Sequence, residues 1–172
     1  MRISLDTFYR DRSHLNTAQR NAINFDHPRA IEWPEVERTL SSLAEGKKTR
    51  LPEYDFATHS RREVGPVVEA KLVIIVDGLW LLRRPSLRRL FSCAIYLECP
   101  RTLCLRRRIQ RDLSERNRDS ASVRKQYLEH VLPMQELFVT SQKRWADIVV
   151  KKIDESKIND LAAQIKQILA TN

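Results

Sequence analysis

Two acidic residues stand where short apolar runs of the sequence end. Asp6 closes the run ISLD, and Asp77 closes the run LVIIVD. If these runs are parallel strands, both carboxylates face the ligand crevice at the carboxyl edge of a sheet. A carboxylate in that position can accept a proton from a substrate hydroxyl or hold Mg²⁺ through water. The alternative is an acid that caps a helix or a loop amide, and the spacing leaves both interpretations open.

Two further clusters combine polar groups with aromatic rings. In NFDHP, residues 24–28, Asp26 is able to accept two hydrogen bonds from a sugar diol, and Phe25 is able to face a ring. The alternative is an Asx turn ahead of Pro28. The segment YDFATHSR, residues 54–61, is either a loop that binds something flat and polar or an ordinary exposed turn.

Arginine is concentrated in one segment of a basic chain. The formal net charge is +9, and residues 101–118 contain seven arginines and no lysine. Such a charge favours an anionic partner: nucleic acid, nucleotide phosphates or acidic lipid. Guanidinium groups match phosphate oxygens in a bidentate manner. From the residue types alone, however, a solvated helix face is the more common outcome.

Strands that alternate with helices would position these residues. Apolar, β-rich runs predict four strands, three of them buried on both faces as in a parallel sheet: 71–78, 93–98 and 146–151, with a fourth at 2–6. Apolar spacing and proline positions predict helices at 34–45, 100–113, 120–145 and 156–169, with a kink or break at Pro133. The pattern predicts a three-layer α/β fold.

Composition narrows the class further. The chain has 172 residues, 42% of them hydrophobic, which favours one globular domain with a core. The longest aliphatic run, LVIIV, is far shorter than a membrane span. Charged residues among the first ten argue against a signal peptide. Three cysteines without a CxxC pair predict reduced thiols in a cytoplasmic protein.

Six segments, taken in order, resemble motifs of the uridine kinase (uridine/cytidine kinase) family. They are SLDTFYRDRSHL, NFDHPRA, YDFATHSR, IIVDGLWLL, RRIQRDLSERNRD and QYLEHVLPM. Six motifs in the expected order are a specific signal. The resemblance implies a P-loop-kinase-like α/β fold, with a parallel sheet between helices on both faces. It also implies a single domain over residues 1–172, in which residues 101–118 form an arginine-rich lid region.

The resemblance implies a role for each residue that matches a motif. Asp6 corresponds to the general base that takes the proton from the nucleoside 5′-hydroxyl, and Asp26 to the acid that holds the ribose diol. Further nucleoside contacts are implied for Phe25, Tyr54, His59, Arg108, Arg118 and Gln126, of which Tyr54 and His59 read the base. Arg111 and Arg116 correspond to lid arginines that stabilise the transferring phosphoryl group, and Asp77 to a metal-binding acid. The implied substrates are uridine or cytidine, with ATP and Mg²⁺.

The chain departs from the family pattern around the ATP phosphates. Its three glycines, Gly46, Gly65 and Gly78, belong to no GxxxxGK[ST] motif, the loop whose backbone amides cradle phosphates. The family commonly has Glu at the position of Asp77 and Pro-Arg-Gly-Gly where this chain has KKIDES. We therefore expect an altered metal site and the loss of one ATP contact.

The resemblance also places the P-loop strand in the middle of the sheet. Without this central strand, we expect the strands at 71–76 and 93–98 to pair directly, to leave a gap, or to borrow a strand from a partner, which allows a homo-oligomer.

Three functions follow, in this order. The first is ATP-dependent phosphorylation of uridine or cytidine to the 5′-monophosphate, impaired in this chain. The second is a nucleoside-binding homologue without catalysis, or a fragment of a longer kinase. The third is a basic nucleic-acid-binding module, which leaves Asp6, Asp26 and Asp77 unexplained. No membrane partner is expected.

Overall fold

The computed structural model describes residues 1–56, 58–62, 65–115, 118–151 and 155–171. Its contacts divide the chain into two compact units, Met1–Leu90 and Phe91–Asn172. We call them the N-terminal unit and the C-terminal unit and describe each by itself. A single domain over residues 1–172 stays a prediction.

The N-terminal unit mixes short strands with helices. Its strands are β1 (Arg2–Ser4), β2 (Thr49–Arg50), β3 (Glu53–Asp55), β4 (Ser60–Arg62), β5 (Val67–Val68) and β6 (Ile75–Asp77). Its α-helices are α1 (Thr17–Asn21), α2 (Trp33–Ala44) and α3 (Pro85–Arg88), and 3-10 turns span Leu5–Phe8, Pro28–Ala30 and Leu81–Arg83.

Strands β1 and β6 form a parallel pair that brings the two predicted acids to one edge. Ser4 is in register with Asp77, and the 3-10 turn that contains Asp6 begins directly after β1. The chain folds this way because the apolar side chains next to this pair are buried: Ile3, Leu5 and Phe8 are each at most 2% exposed. Full burial of one such side chain stabilises the fold by about 1.5–3 kcal/mol.

Helix α2 covers much of this core and agrees with the prediction of a helix at 34–45. Pro34 occupies its first turn, where a missing N–H costs nothing. Gly46, at φ +78°, adopts the left-handed conformation that ends many helices. The buried side chains recur every three or four residues and so share one face: Trp33, Val36, Leu40 and Leu43.

Two antiparallel pairs were not predicted from the sequence. Strands β3 and β4 form a hairpin in which Tyr54 is opposite Arg61 and Asp55 is opposite Ser60. Strand β2 pairs with β5. The segment YDFATHSR is therefore a β-hairpin, and Ala57 lies outside the described residues.

The C-terminal unit contains a second parallel pair and most of the helix. Strand β7 (Ile95–Leu97) pairs with β8 (Ile148–Val150). Helix α4 spans Arg101–Glu115, α5 spans Ser120–Gln126, α6 spans Leu132–Met134 and α7 spans Glu155–Thr171. Turns of π-helix flank α6, at Tyr127–Val131 and Gln135–Val139, and a 3-10 segment, Thr140–Trp145, follows them. Because Pro133 cannot donate a backbone hydrogen bond, the predicted interruption takes the form of wider helical turns around it.

The parallel strands expose apolar side chains, so the expectation that they are covered on both faces was wrong. Ile75 is 62% exposed in β6, and Leu97 is 60% exposed in β7. Among the described strands, β6 pairs with β1 alone and β7 pairs with β8 alone. Each strand therefore keeps one edge without a neighbour, as the absence of a central strand implies. Parallel strands with intervening helices confirm the α/β class.

None of the described helices combines the length and the apolar character that crossing a bilayer requires.

Candidate functional site

Asp6 lies in the 3-10 turn at the carboxyl end of β1. The Ser4 side chain caps this turn by accepting a hydrogen bond from the Asp6 backbone N–H at 3.4 Å. The hydroxyl of Thr7 donates to the Ser4 carbonyl at 2.9 Å. Asp6 is exposed. The turn is thus fixed through its backbone, and its carboxylate stands in solvent at the sheet edge, where a general base would have to be.

Asp77 is held by its neighbours on β1. Arg2 Nε donates to Asp77 Oδ2 at 2.8 Å and Arg2 Nη2 donates to Oδ1 at 3.2 Å. The Ser4 hydroxyl donates to Oδ1 at 3.3 Å. The hydrogen bond from Arg2 holds the pKa of the Asp77 carboxyl below its usual value. Both carboxylate oxygens are engaged, so Asp77 fits contact with Mg²⁺ through water and not direct coordination.

No three His, Cys, Asp or Glu side chains among the described residues come together as a metal-binding group. An open groove of about 640 Å³ lies beside the same strand, lined by residues 2–4 and 51–54 together with Thr7. Tyr54 therefore borders both this groove and the hairpin.

Five rings form a cluster between the end of β1 and the β3–β4 hairpin. The rings of Phe25 and His59 are stacked, with centroids 4.1 Å apart and planes 14° apart. Tyr54 contacts Tyr9 at 5.4 Å and Phe56 at 5.1 Å between ring centroids. Phe56 is 47% exposed. The cluster offers aromatic faces to a flat ligand, although a base lying between Phe25 and His59 would have to separate them.

Tyr54 and His59, the predicted base-reading pair, contact each other. Tyr54 Oη lies 3.2 Å from His59 Nδ1. Burial raises the pKa of Tyr54 to about 12, so the phenol keeps its proton at neutral pH. The hydroxyl can therefore donate to Nδ1, which leaves Nε2 of a neutral His59 as the ring's N–H donor.

The hairpin tip, residues 55, 56 and 58–60, is held by hydrogen bonds to its backbone. The Arg12 N–H donates to the His59 carbonyl at 3.1 Å. Arg20 Nη1 donates to the Thr58 carbonyl at 2.6 Å. His59 has φ +53°, the left-handed region that few residues other than glycine adopt. These bonds fix a backbone that the sequence alone would disfavour.

Asp11 connects the hairpin to the chain that follows β1. Its Oδ1 accepts from the Arg61 N–H at 3.0 Å, and its Oδ2 accepts from the Ser13 hydroxyl at 2.6 Å. The bond from Ser13 is the main reason why the pKa of Asp11 lies below its usual value. The Arg61 side chain pairs with Glu35 of α2 at 2.6 Å, with both side chains mostly buried. The hairpin is therefore tied to two other elements.

Asp26 is half-buried next to Phe25. The turn proposed as an alternative for this segment exists, but Asn24 makes it: Asn24 Oδ1 accepts from the Asp26 N–H at 2.9 Å. His27 caps the next turn, its Nδ1 accepting from the Arg29 N–H at 3.0 Å. Neither contact uses the Asp26 carboxylate, so the turn does not conflict with a role for that group.

The C-terminal unit gathers the predicted arginines around a carboxylate. Arg108 and Arg111 lie on α4, and Arg118 lies ahead of α5. Arg118 Nη1 donates to Gln126 Oε1 at 2.5 Å, which places these two predicted nucleoside contacts together. All three guanidinium groups lie within 4 Å of Asp112. Arg116, the other predicted lid arginine, lies outside the described residues.

The sequence prediction omitted three residues that organise these clusters: Tyr9, Asp11 and Asp112. Tyr9 carried a signal, because an aromatic residue soon after Asp6 faces the same edge of the sheet. Asp11 and Asp112 carried none, since a single Asp between arginines is usually a surface residue.

Comparisons with known proteins decide the family. The model of the Phosphoribulokinase / Uridine kinase family matches residues 1–159. The chain belongs to this family. The finding confirms the resemblance carried by the six motifs and makes the chain a nucleoside kinase by family.

Relatives within the phosphoribulokinase/uridine kinase family match over nearly the whole chain. A protein named uridine kinase from Vibrio cholerae is 38% identical over 169 residues, which is 97% of this chain and 79% of the relative. One of the same name from Haemophilus ducreyi is 37% identical over 170 residues, 98% of this chain and 78% of the relative.

A solved structure from Silicibacter sp. TM1040, named for a fructose transport system kinase, matches with a TM-score of 0.66. The identity is 18%, and the match covers 88% of this chain and 74% of the other. This likeness concerns the fold alone and agrees with the kinase-like α/β fold predicted from the sequence.

Proposed function

We propose that this member of the phosphoribulokinase/uridine kinase family recognises a pyrimidine nucleoside, uridine or cytidine, as the acceptor of a phosphoryl group from ATP. The observation that carries the proposal is the contact between Tyr54 and His59 inside an aromatic cluster, next to the stack of His59 on Phe25. An apolar face with one fixed ring donor suits a pyrimidine, whose edge carries carbonyl oxygens.

Recognition of the nucleoside divides between base and sugar. Tyr54 and His59 read the base edge, and Phe25 packs against the base. Asp26 accepts hydrogen bonds from the ribose diol. The C-terminal unit supplies Arg108, Arg118 and Gln126 as further contacts, supported by the hydrogen bond that already joins Arg118 to Gln126. A buried polar group left unpaired costs about 1–3 kcal/mol, so this arrangement discriminates against purines.

The chemistry assigned to this chain's own residues is proton acceptance and charge stabilisation. Asp6 accepts the proton of the nucleoside 5′-hydroxyl, because its carboxylate is exposed at the edge of the parallel pair. Arg111 and Arg116 stabilise charge on the transferring group. ATP with Mg²⁺, when bound, supplies the phosphoryl group and neutralises part of its charge. Asp77 would contact the ion through water, since Arg2 and Ser4 occupy its oxygens.

We propose further that the 172-residue chain binds nucleoside more readily than it transfers phosphate. The absence of GxxxxGK[ST] from the sequence removes the loop that holds the ATP phosphates, and positioning supplies most of the rate in phosphoryl transfer. The second candidate is therefore a nucleoside-binding homologue without turnover. It is favoured by the engagement of Asp77 with Arg2.

Calorimetry and a turnover assay on the purified chain test these proposals together. We expect uridine or cytidine to bind more tightly than adenosine and more tightly than ATP. Uridine-dependent consumption of ATP then separates a weak kinase from a binding protein. Micromolar binding of ATP with no binding of uridine would show that the assignment of Tyr54, His59 and Asp26 is wrong.

A further inference from the structure

Asp112, on α4, is a carboxylate with no exposed surface, at 0% relative accessibility. Three guanidinium groups surround it. Arg111 Nε and Nη2 both donate to Oδ1, at 3.0 and 2.8 Å. Oδ2 lies 3.8 Å from Arg108 Nε and 3.5 Å from Arg118 Nη1. The two oxygens thus face different arginines.

The charges of this cluster do not cancel. Three guanidinium groups and one carboxylate leave an excess of two positive charges, and the arginines repel one another. Burying the carboxylate is itself unfavourable unless it is paired. The carboxylate therefore holds together three cations that would otherwise separate, and the excess charge remains available to an anion.

Backbone and side-chain contacts extend the cluster from α4 to α5. The Arg118 N–H donates to the Asp112 carbonyl at 3.2 Å. Arg118 Nη2 donates to the Ser122 hydroxyl at 3.0 Å, in addition to its bond to Gln126. Asp112 is thereby linked through Arg118 to the start of the next helix.

We propose that Asp112 is a positioning residue that fixes Arg108, Arg111 and Arg118 as one preorganised site for the nucleoside and its phosphoryl group. The inference rests on the proposed function, in which Arg108 and Arg118 contact the nucleoside and Arg111 contacts the phosphoryl group. Asp112 itself touches neither. Its carboxylate orients both sets of donors, so one substitution at Asp112 disturbs both recognition steps.

The test uses Asp112→Asn, which keeps the shape and removes the charge, and Asp112→Glu, which keeps the charge. Asp160→Asn on the exposed surface of α7 is the matched control. Calorimetry measures the binding of uridine and of uridine 5′-monophosphate to each folded variant. NMR of the arginine Nε–H groups in ¹⁵N-labelled protein, assigned with Arg111→Lys and Arg118→Lys, reports whether the guanidinium groups are held.

We expect the wild-type chain to bind the monophosphate more tightly than uridine. Asp112→Asn should weaken the monophosphate by about 10-fold or more, and uridine by less. Asp112→Glu should restore part of the loss, and Asp160→Asn should change neither ligand. The Arg111 Nε–H signal should exchange slowly with water in the wild type and rapidly in Asp112→Asn. A merely structural role would lower the melting temperature without changing the ratio of the two affinities.

Two results would overturn the inference. One is a folded Asp112→Asn variant that keeps the wild-type ratio of affinities. The other is wild-type protein in which the Arg111 and Arg118 signals exchange as fast as free arginine, a result that decides the question even if Asp112→Asn does not fold. Failure of the proposed function is a different outcome: neither ligand binds the wild type, while the arginine signals stay protected.

Discussion

Replacing His59 with alanine is expected to remove most of the affinity for uridine. The imidazole stacks on Phe25 at 4.1 Å and lies 3.2 Å from the Tyr54 hydroxyl. Its loss leaves polar atoms of the base, and the buried Tyr54 hydroxyl, without this partner. At about 1–3 kcal/mol for an unpaired buried polar group, uridine binding should weaken roughly 5- to 150-fold.

The backbone at His59 calls for a second variant. Alanine at φ +53° is strained, by about 1–2 kcal/mol relative to glycine-like freedom, so His59→Ala also lowers stability. Asparagine tolerates this region better. His59→Asn therefore removes the ring with less strain, and both variants should lose uridine affinity to a similar extent. His14→Ala, at an exposed histidine, is the matched control.

Calorimetry at neutral pH measures the affinities, and thermal denaturation shows whether each variant is folded. The argument is refuted if His59→Ala and His59→Asn both fold and both bind uridine within about twofold of the wild type. That result would mean that the aromatic cluster serves only to pack the hairpin.

The remaining predictions concern stability and turnover. Glu35→Gln should lower the free energy of unfolding by about 1.5–3 kcal/mol, because Glu35 pairs with the mostly buried Arg61; the same change at Glu53, in an exposed pair, should cost about 0–1 kcal/mol in urea unfolding. Because the folded pKa of Asp77 is lowered by Arg2, its contribution to stability is present above pH 3.8 and is lost as the pH falls through the folded pKa. The difference in melting temperature between wild type and Asp77→Asn should therefore vanish in acid, and a difference that persists there would contradict the assignment. Uridine-dependent ATP consumption by the 172-residue chain should stay well below the roughly 1–100 s⁻¹ of typical kinases, and a coupled assay that finds such a rate would disprove the predicted impairment.

The parallel strands were predictable because continuous apolar runs are rare outside buried strands. The runs at 71–78 and 93–98 contain β6 and β7, but only three residues of each are paired. The predicted lengths were too long because pairing ends where a neighbour is missing, which no local pattern reveals. Helix α2 was predicted to within one residue at each end, since proline and glycine mark its limits.

The hairpin and the buried acid could not be predicted from pattern. The β3–β4 hairpin has polar residues on both strands and depends on Asp11 and Glu35, which are distant in sequence. Likewise, nothing local shows that Asp112 is buried, because its burial depends on Arg118 folding back from beyond the end of α4. The family resemblance supplied the residues of the site, while their supporting partners required the structure.

The anchored hairpin tip has a consequence for the thermodynamics and the speed of ligand capture. Arg12 and Arg20 fix the carbonyl groups of His59 and Thr58 in the absence of ligand. The conformational entropy of this loop is therefore lost during folding and not during binding. Uridine would meet a surface that already has its final shape, so association needs no slow ordering step. Differences in affinity among variants of this loop should then appear mainly in the dissociation rate.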